Sequence, residues 1–401
     1  MTAAGVVAEY NVFHRGHAWQ LEELRRRLGP DIAVAVCMSG NFVQRGDFAI
    51  VSKHPRAEMA VRCGADLVLE LPAPWSSGPA ERFALGAVGI LAGTGVVRYL
   101  AFGCECGSLE PLQRVAESLD SGLYHTELRR FLSQGMTYAA ARQRALGHAG
   151  LAGGAAQRLS QPNNALAVEY LRALAALGGG MEPLALPRVG AGHDSLEPGP
   201  YLSASAIRAR LLAGGDGWRE HVPEAAAAIV DRELAAGRAP VSIANCERAA
   251  LARLRSMPEA SFAVYDGGRE GLYHRFYQAV HSAASLEGIL LAAKTKRYPL
   301  ARLRRMLLHS YLDIRTPGRD ELPPYLRVLG ANGRGRALLK EMRKRAAIPV
   351  LTKPGHAGRL GQAAQNLMAL ESRYTDLYAL AYPDLSQAMP GGEYTANPAM
   401  L

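Results

Sequence analysis

Cysteine is scarce in this chain, with five in 401 residues: Cys37, Cys63, Cys104, Cys106 and Cys246. An odd, scattered set gives no disulfide framework, and a chain this long can build a core without one. The one close pair, Cys104-x-Cys106, has no second Cys or His pair at zinc-site spacing, so no metal site is expected. Long apolar runs are missing too. None reaches the ~20 residues that cross a bilayer, so no membrane partner is expected. The first ten residues have no basic stretch ahead of Gly5–Ala8, and that apolar segment is too short for a signal core. The expected compartment is the cytoplasm. Internal repeats are absent as well.

What is present is length, and charge of one sign in one place. At ~150 residues per domain, 401 residues predict two or three domains. The net charge of +10 is unevenly placed: residues 1–200 hold 18 Lys+Arg against 18 Asp+Glu, and residues 201–401 hold 28 against 18. Within 294–345 the balance is 15 to 4. Such a block suits a polyanion, because each phosphate contact releases condensed counterions. The plainer alternative is an Arg-rich composition that sets Arg on solvated faces.

Strand-like apolar runs alternate with helical patterns through the first half. Gly5–Glu9, Asp31–Cys37, Ala65–Leu71 and Val96–Phe102 read as strands, with Pro183–Pro187 as a short fifth. Helical patterns follow His17, cover Arg56–Cys63 and Ala80–Ala92, and fill Leu109–Leu177. This alternation predicts an α/β fold with a doubly wound parallel sheet of Rossmann type. Ligands then sit at the carboxyl ends of the strands, near a switch in strand order. Past the Gly214-Gly215-Asp216-Gly217 break, helical patterns dominate, which divides the chain into residues 1–215 and a mainly helical 216–401. The tail from Pro390 on is expected to be poorly ordered.

His14-Arg15-Gly16-His17 follows the first strand directly and opens a helix. A helix start offers unpaired N–H groups and the positive end of the macrodipole, both of which favour phosphate. Two histidines flanking a glycine can aim N–H donors at an α-phosphate, where charge grows as pyrophosphate leaves. Gly16 would let a base or ribose approach the backbone. Later in the chain, Leu202-Ser-Ala-Ser-Ala-Ile-Arg208 resembles the (I/L)SSTxIR element of HxGH nucleotidylyltransferases. There, Ser203 or Ser205 would cap a helix start facing the triphosphate, and Arg208 would neutralise it. Taken singly, the first motif could be a metal pair or two surface histidines, and the second a plain Ser cap with a surface Arg. Together, in this order, they indicate adenylyl transfer from ATP.

A closer resemblance covers nearly the whole chain. Glu9-Tyr-Asn-Val-Phe-His-Arg-Gly-His17 is similar to the EYNPFHxGH of the tRNA(Met) cytidine acetate ligase family, and Met38-Ser-Gly-Asn-Phe-Val-Gln-Arg-Gly46 is a second long match. Asp66–Pro72, Phe102–Glu105, Gln161–Asn164, Arg188–Asp194, Thr295–Tyr298 and Thr375–Tyr378 follow in order. The resemblance implies an ATP-dependent ligase that forms acetyl-adenylate and acetylates N4 of the wobble cytidine of elongator tRNA(Met). Mg²⁺ is expected with ATP, although no carboxylate identifies itself as its ligand. Carried over residue by residue, His14 and His17 would be catalytic, and Val7, Ala8, Glu9, Tyr10, Asn11, Phe13 and Gly16 would wrap ATP. Gly103 would abut adenine or ribose, Asn163 or Asn164 would contact the nucleotide, and Arg188 would contact phosphate. Ser203, Ser205 and Arg208 would complete the phosphate site. Val12 departs from the family's usual Pro, and Gly192 replaces the tyrosine of its Tyr-His-Asp.

Ser39, Gly40 and Asn41 are the candidates for the acyl or cytidine side of the pocket, with Lys53 near enough in sequence to reach phosphate. For RNA contact the candidates are Lys294, Lys296, Arg297, Arg304 and Arg305, with Tyr298 as a ring for stacking a base. Leu300, Leu303 and Leu307 would turn that helix's apolar stripe inward. Two further readings stay open: a small-molecule adenylyltransferase of the same superfamily, and a non-catalytic RNA-binding protein.

Overall fold

Each apolar run of the first 187 residues becomes a strand of one sheet. The protein was studied as a computed structural model that describes residues 2–136, 138–151, 159, 161–187, 201–265 and 271–401. The strands are β1 (Ala3–Ala8), β2 (Ala33–Ser39), β3 (Phe42–Val43), β4 (Asp47–Phe48), β5 (Leu67–Leu71), β6 (Val97–Cys104) and β7 (Glu182–Pro187). Three more come from the second half: β8 (Leu326–Ala331), β9 (Val350–Leu351) and β10 (Ala399–Met400). The main sheet runs β10-β8-β5-β2-β1-β6-β7, with β9 beside β8, while β3 and β4 form a separate hairpin.

The five strands β5-β2-β1-β6-β7 are parallel. Both faces are covered, so β2 and β5 are buried along their full length, which is why they read as unbroken apolar runs. Helices α1 (Arg15–Leu28) and α2 (Lys53–Arg62) pack on one face, and the helices Ala80–Gly93 and Pro162–Ala176 on the other. From β1 the chain winds outward through β2 and β5, then crosses back to β6 and β7 on the opposite side. The order therefore reverses between β1 and β6, opening a crevice at their carboxyl ends.

The second half is mainly helical, but it also returns to the sheet. β8 lies antiparallel to β5, pairing Leu67 with Ala331 and Leu69 with Val328, and β10 pairs in parallel with β8. The tail differs from expectation. Gly392–Thr395 is helical, Glu393 is buried, and Ala399–Met400 bonds to the sheet edge. A buried carboxylate with cationic partners and a strand edge that needs donors hold this segment in place. Among the described residues, no helix is long and apolar enough to cross a membrane.

Candidate active site

The residues after β1 build the crevice wall. His14 is the N-cap of α1: its Nδ1 accepts from the Gly16 N–H at 3.1 Å, and His17 Nδ1 accepts from the His14 N–H at 3.2 Å. This is a capping box in which two imidazoles take the places usually held by Ser and Glu. Because both Nδ1 atoms accept, each neutral ring carries its proton on Nε2, so both are set as Nε2–H donors. The rings stack at 3.7 Å between centroids and 26° between planes. Behind them, Tyr10 packs edge-on against His17 at 4.8 Å and Phe13 against Tyr10 at 4.7 Å, both fully buried.

Gly16 has a steric reason beyond ligand approach. A Cβ there would lie 2.9 Å from His14 Cε1, so a side chain would displace the ring. Val7 and Ala8 end β1, and Glu9 accepts the Gln44 N–H at 2.8 Å.

The distant serine-arginine element joins the same loop. Ser203 caps the helix Ala204–Leu212 by accepting from the Ala206 N–H at 3.2 Å. Arg208 donates to the Asn11 carbonyl at 2.7 Å and to Ser205 Oγ at 3.0 Å, while Asn11 Oδ1 accepts from the Ile50 N–H at 2.8 Å. The two motifs, far apart in sequence, are thus one side-chain contact apart.

Across the crevice, Gly103 lies near the end of β6, and a Cβ on it would meet nothing within 4 Å. Asn164 is wholly buried; its Oδ1 accepts from the Glu105 N–H at 2.9 Å and its Nδ2 donates to Gln161 at 2.6 Å. Glu105 in return accepts from the N–H groups of Asn163 and Asn164 and from Asn163 Nδ2. Asn164 therefore braces the loop, and Asn163 is the partly accessible one of the pair. Arg188 and the Gly192-His193-Asp194 segment lie outside the described residues.

With this geometry in place, the comparisons decide the family. The HIGH Nucleotidyl Transferase family matches residues 1–391. The tRNA(Met) cytidine acetate ligase of Syntrophomonas wolfei is 36% identical over 417 residues, covering 99% of both chains. The chain belongs to the tRNA(Met) cytidine acetate ligase family. The same-named ligase of Thermoanaerobacter sp. strain X514 is 35% identical over 396 residues, covering 97% of each chain. Thermotoga maritima TmcAL superposes with a TM-score of 0.95 at 32% identity and full coverage of both chains. A second TmcAL structure, bound with alpha-thio ATP, gives 0.93 at the same identity and coverage.

Ser39, Gly40 and Asn41, the sequence candidates for the acyl or cytidine side of the pocket, lie at the end of β2. Ser39 Oγ is buried without a partner among the described residues, as is the Tyr10 hydroxyl, and a ligand or water would supply one. Asn41 is 3% exposed; its Oδ1 accepts from the Lys53 N–H at 2.9 Å and its Nδ2 donates to Thr375 Oγ1 at 3.3 Å. Its amide thus ties the loop after β2 to the C-terminal half.

Sequence reasoning missed Arg56. It is fully buried and donates to the carbonyls of Val51 at 2.8 Å, Glu9 at 2.5 Å, Ser39 at 3.1 Å and Gly40. One guanidinium thus holds the ends of β1 and β2 together. Burial pulls its pKa down to about 10, against which Tyr378 and Glu9 act, so it stays charged at neutral pH. Lys53 is neither at a phosphate nor in solvent: it is 1% exposed, with Nζ 2.6 Å from both Glu70 and Glu393. Burial opposes its charge, but the carboxylates of Glu393 and Glu70 hold its pKa above the usual value.

The basic block is partly as expected. Lys294, Lys296, Arg297 and Arg304 are exposed, Arg305 is half-buried, and Leu303 and Leu307 face inward. Tyr298 is not a stacking platform, being 7% exposed within the helical core with Arg297 and Arg302 over its ring.

Proposed function

We propose that this protein activates acetate with ATP and transfers the acetyl group to N4 of the wobble cytidine of elongator tRNA(Met), acting in the cytoplasm. The observation that carries this reading is the pair of Nε2–H donors at the strand-order switch, joined to the serine-arginine element through Arg208 and Asn11. ATP would lie with its adenosine along Gly103 and Asn163. Its phosphates would meet the start of α1, Ser203, Ser205 and Arg208. Mg²⁺ would enter with ATP and supply charge neutralisation at its phosphates.

In the first step an acetate oxygen attacks the α-phosphorus and the bond to the bridging oxygen breaks, releasing pyrophosphate. His14 and His17 donate to the oxygens on which negative charge grows. In the second step cytosine N4 attacks the acetyl carbon, the mixed anhydride bond breaks, AMP leaves and N4 loses a proton. Cytosine N4 is weakly basic, so this step depends on an activated acyl group and on positioning. The base must leave the anticodon stack, which a single-stranded loop permits at low cost. The exposed cations of 294–305 supply the phosphate contacts that hold the RNA.

The test is acetylation itself. Protein, ATP, labelled acetate and an elongator tRNA(Met) transcript should yield labelled N4-acetylcytidine after nuclease digestion. A transcript with uridine at the wobble position should yield none. Label absent from the nucleosides of the cytidine transcript, or equal in both, would contradict the proposal.

A further inference from the structure

The hairpin of β3 and β4 stands between the nucleotide loop and the basic helix Leu300–Leu312. On one side the Gln44 N–H donates to Glu9 Oε1 at 2.8 Å, and the Glu9 carbonyl is held by Arg56. On the other side Gly46 meets the helix backbone to backbone. Its φ is +77°, and a Cβ placed there would fall 2.4 Å from the Arg305 nitrogen and 2.6 Å from the Arg304 carbonyl carbon. A clashing side chain can rotate away, but the main chain of a helix cannot. Any residue larger than glycine at 46 must move the helix or the hairpin as a body.

Both partners are otherwise pinned. Ser76 Oγ donates to the Phe42 carbonyl at 2.9 Å, and the Tyr378 hydroxyl donates to the Ala49 carbonyl at 2.6 Å. Phe42 packs edge-on against Phe48 at 5.0 Å, and Phe48 stacks on Tyr378 at 5.6 Å. On the helix, His309 is buried with Nε2 3.0 Å from Ser77 Oγ.

We infer that Gly46 is a positioning residue for the RNA-dependent step. It lets the hairpin fix the separation between the helix carrying Arg304 and Arg305 and the loop that holds the adenylate. This rests on the acetate ligase reading above. Acetyl transfer needs the cytosine amine within about 3.5 Å of the acyl carbon, and a misplacement of about 1 Å costs on the order of 10²-fold. Adenylation uses only ATP and acetate, which the reading above places on the nucleotide side of the hairpin, where Glu9 and Asn41 are held by Gln44, Arg56 and Lys53 rather than by the helix.

Gly46→Ala is therefore measured in three assays: acetate-dependent ATP–pyrophosphate exchange, single-turnover acetyl transfer to tRNA, and tRNA binding by filter retention. Exchange and binding should stay within about twofold of the wild type, while transfer slows by roughly tenfold or more. Equal losses in exchange and transfer, or unchanged transfer, would overturn the inference. Should Gly46→Ala not fold, Ser77→Ala removes the hydroxyl contact of His309, leaves the one to the Ser77 carbonyl at 3.1 Å, and changes no residue of the hairpin. The same split is expected, and its absence would count equally against the joint. A wild-type protein lacking both exchange and transfer would sink the underlying reading instead.

Discussion

At the residue scale, the two histidines hold each other in place. Each ring accepts from a backbone N–H of the same helix start, and ring stacking with the Tyr10 and Phe13 packing completes the setting of the Nε2 donors. Gly16 is the weak point, because a methyl group there lies 2.9 Å from the His14 ring. Gly16→Ala should lower ATP–pyrophosphate exchange by about 10²-fold, the size seen when one preorganised donor is lost. Its thermal midpoint should stay near that of the wild type, since Gly16 is only partly buried. Exchange at the wild-type rate would show that the ring can move without consequence. This constellation was legible in the sequence because His14, Gly16 and His17 are neighbours. Arg56 was not. An arginine on a short helix reads as a solvated cation, and only the crossing of β1, β2 and the Val51 segment shows that its donors meet carbonyls.

At the scale of elements, the parallel core was read from its apolar runs, whereas the elements that join the two halves were not. β3, β4, β9 and β10 are two residues long each and carry no periodicity. β8 is a buried run interrupted by Arg327, which the sequence presents as a charge in a basic region. Arg327 brings β8 into a buried ionic cluster that joins the two halves. Lys53 pairs with Glu70 and Glu393, Arg327 lies 3.7 Å from Glu393, and Glu371 accepts from the Ala73 N–H at 2.7 Å. Burial, with Glu70 nearby, pushes the Glu371 carboxyl up to about 8. An acid whose folded pKa is raised binds its proton more tightly in the folded state, so stability falls as pH rises from the unfolded value of about 4.5 to about 8 and then levels off. Glu371→Gln keeps the amide oxygen as acceptor and removes that titration. Its thermal midpoint should match the wild type near pH 5 and exceed it at pH 9. Parallel curves across that range would show that Glu371 stays ionised in the fold.

At the scale of the molecule, charge asymmetry was the second signal that carried over from sequence. The charge-balanced first half supplies the five parallel strands and the loop after β1, and the basic surplus of the second half surfaces at Lys294, Lys296, Arg297 and Arg304. Sequence could not show that this basic segment rests on the β3–β4 hairpin, because a backbone contact at Gly46 leaves no trace in composition. If these cations bind phosphate, tRNA affinity should fall linearly with log salt, and Lys296→Ala should reduce the slope by about 0.7 to 1. An unchanged slope would place the RNA elsewhere on the surface. The central claim, acetate activation by His14 and His17, is tested most directly by ATP–pyrophosphate exchange with and without acetate, beside His14→Ala and His17→Ala. The account predicts exchange that requires acetate and falls by about 10²-fold or more in each variant. Exchange that persists in both variants, or that never responds to acetate, would contradict it.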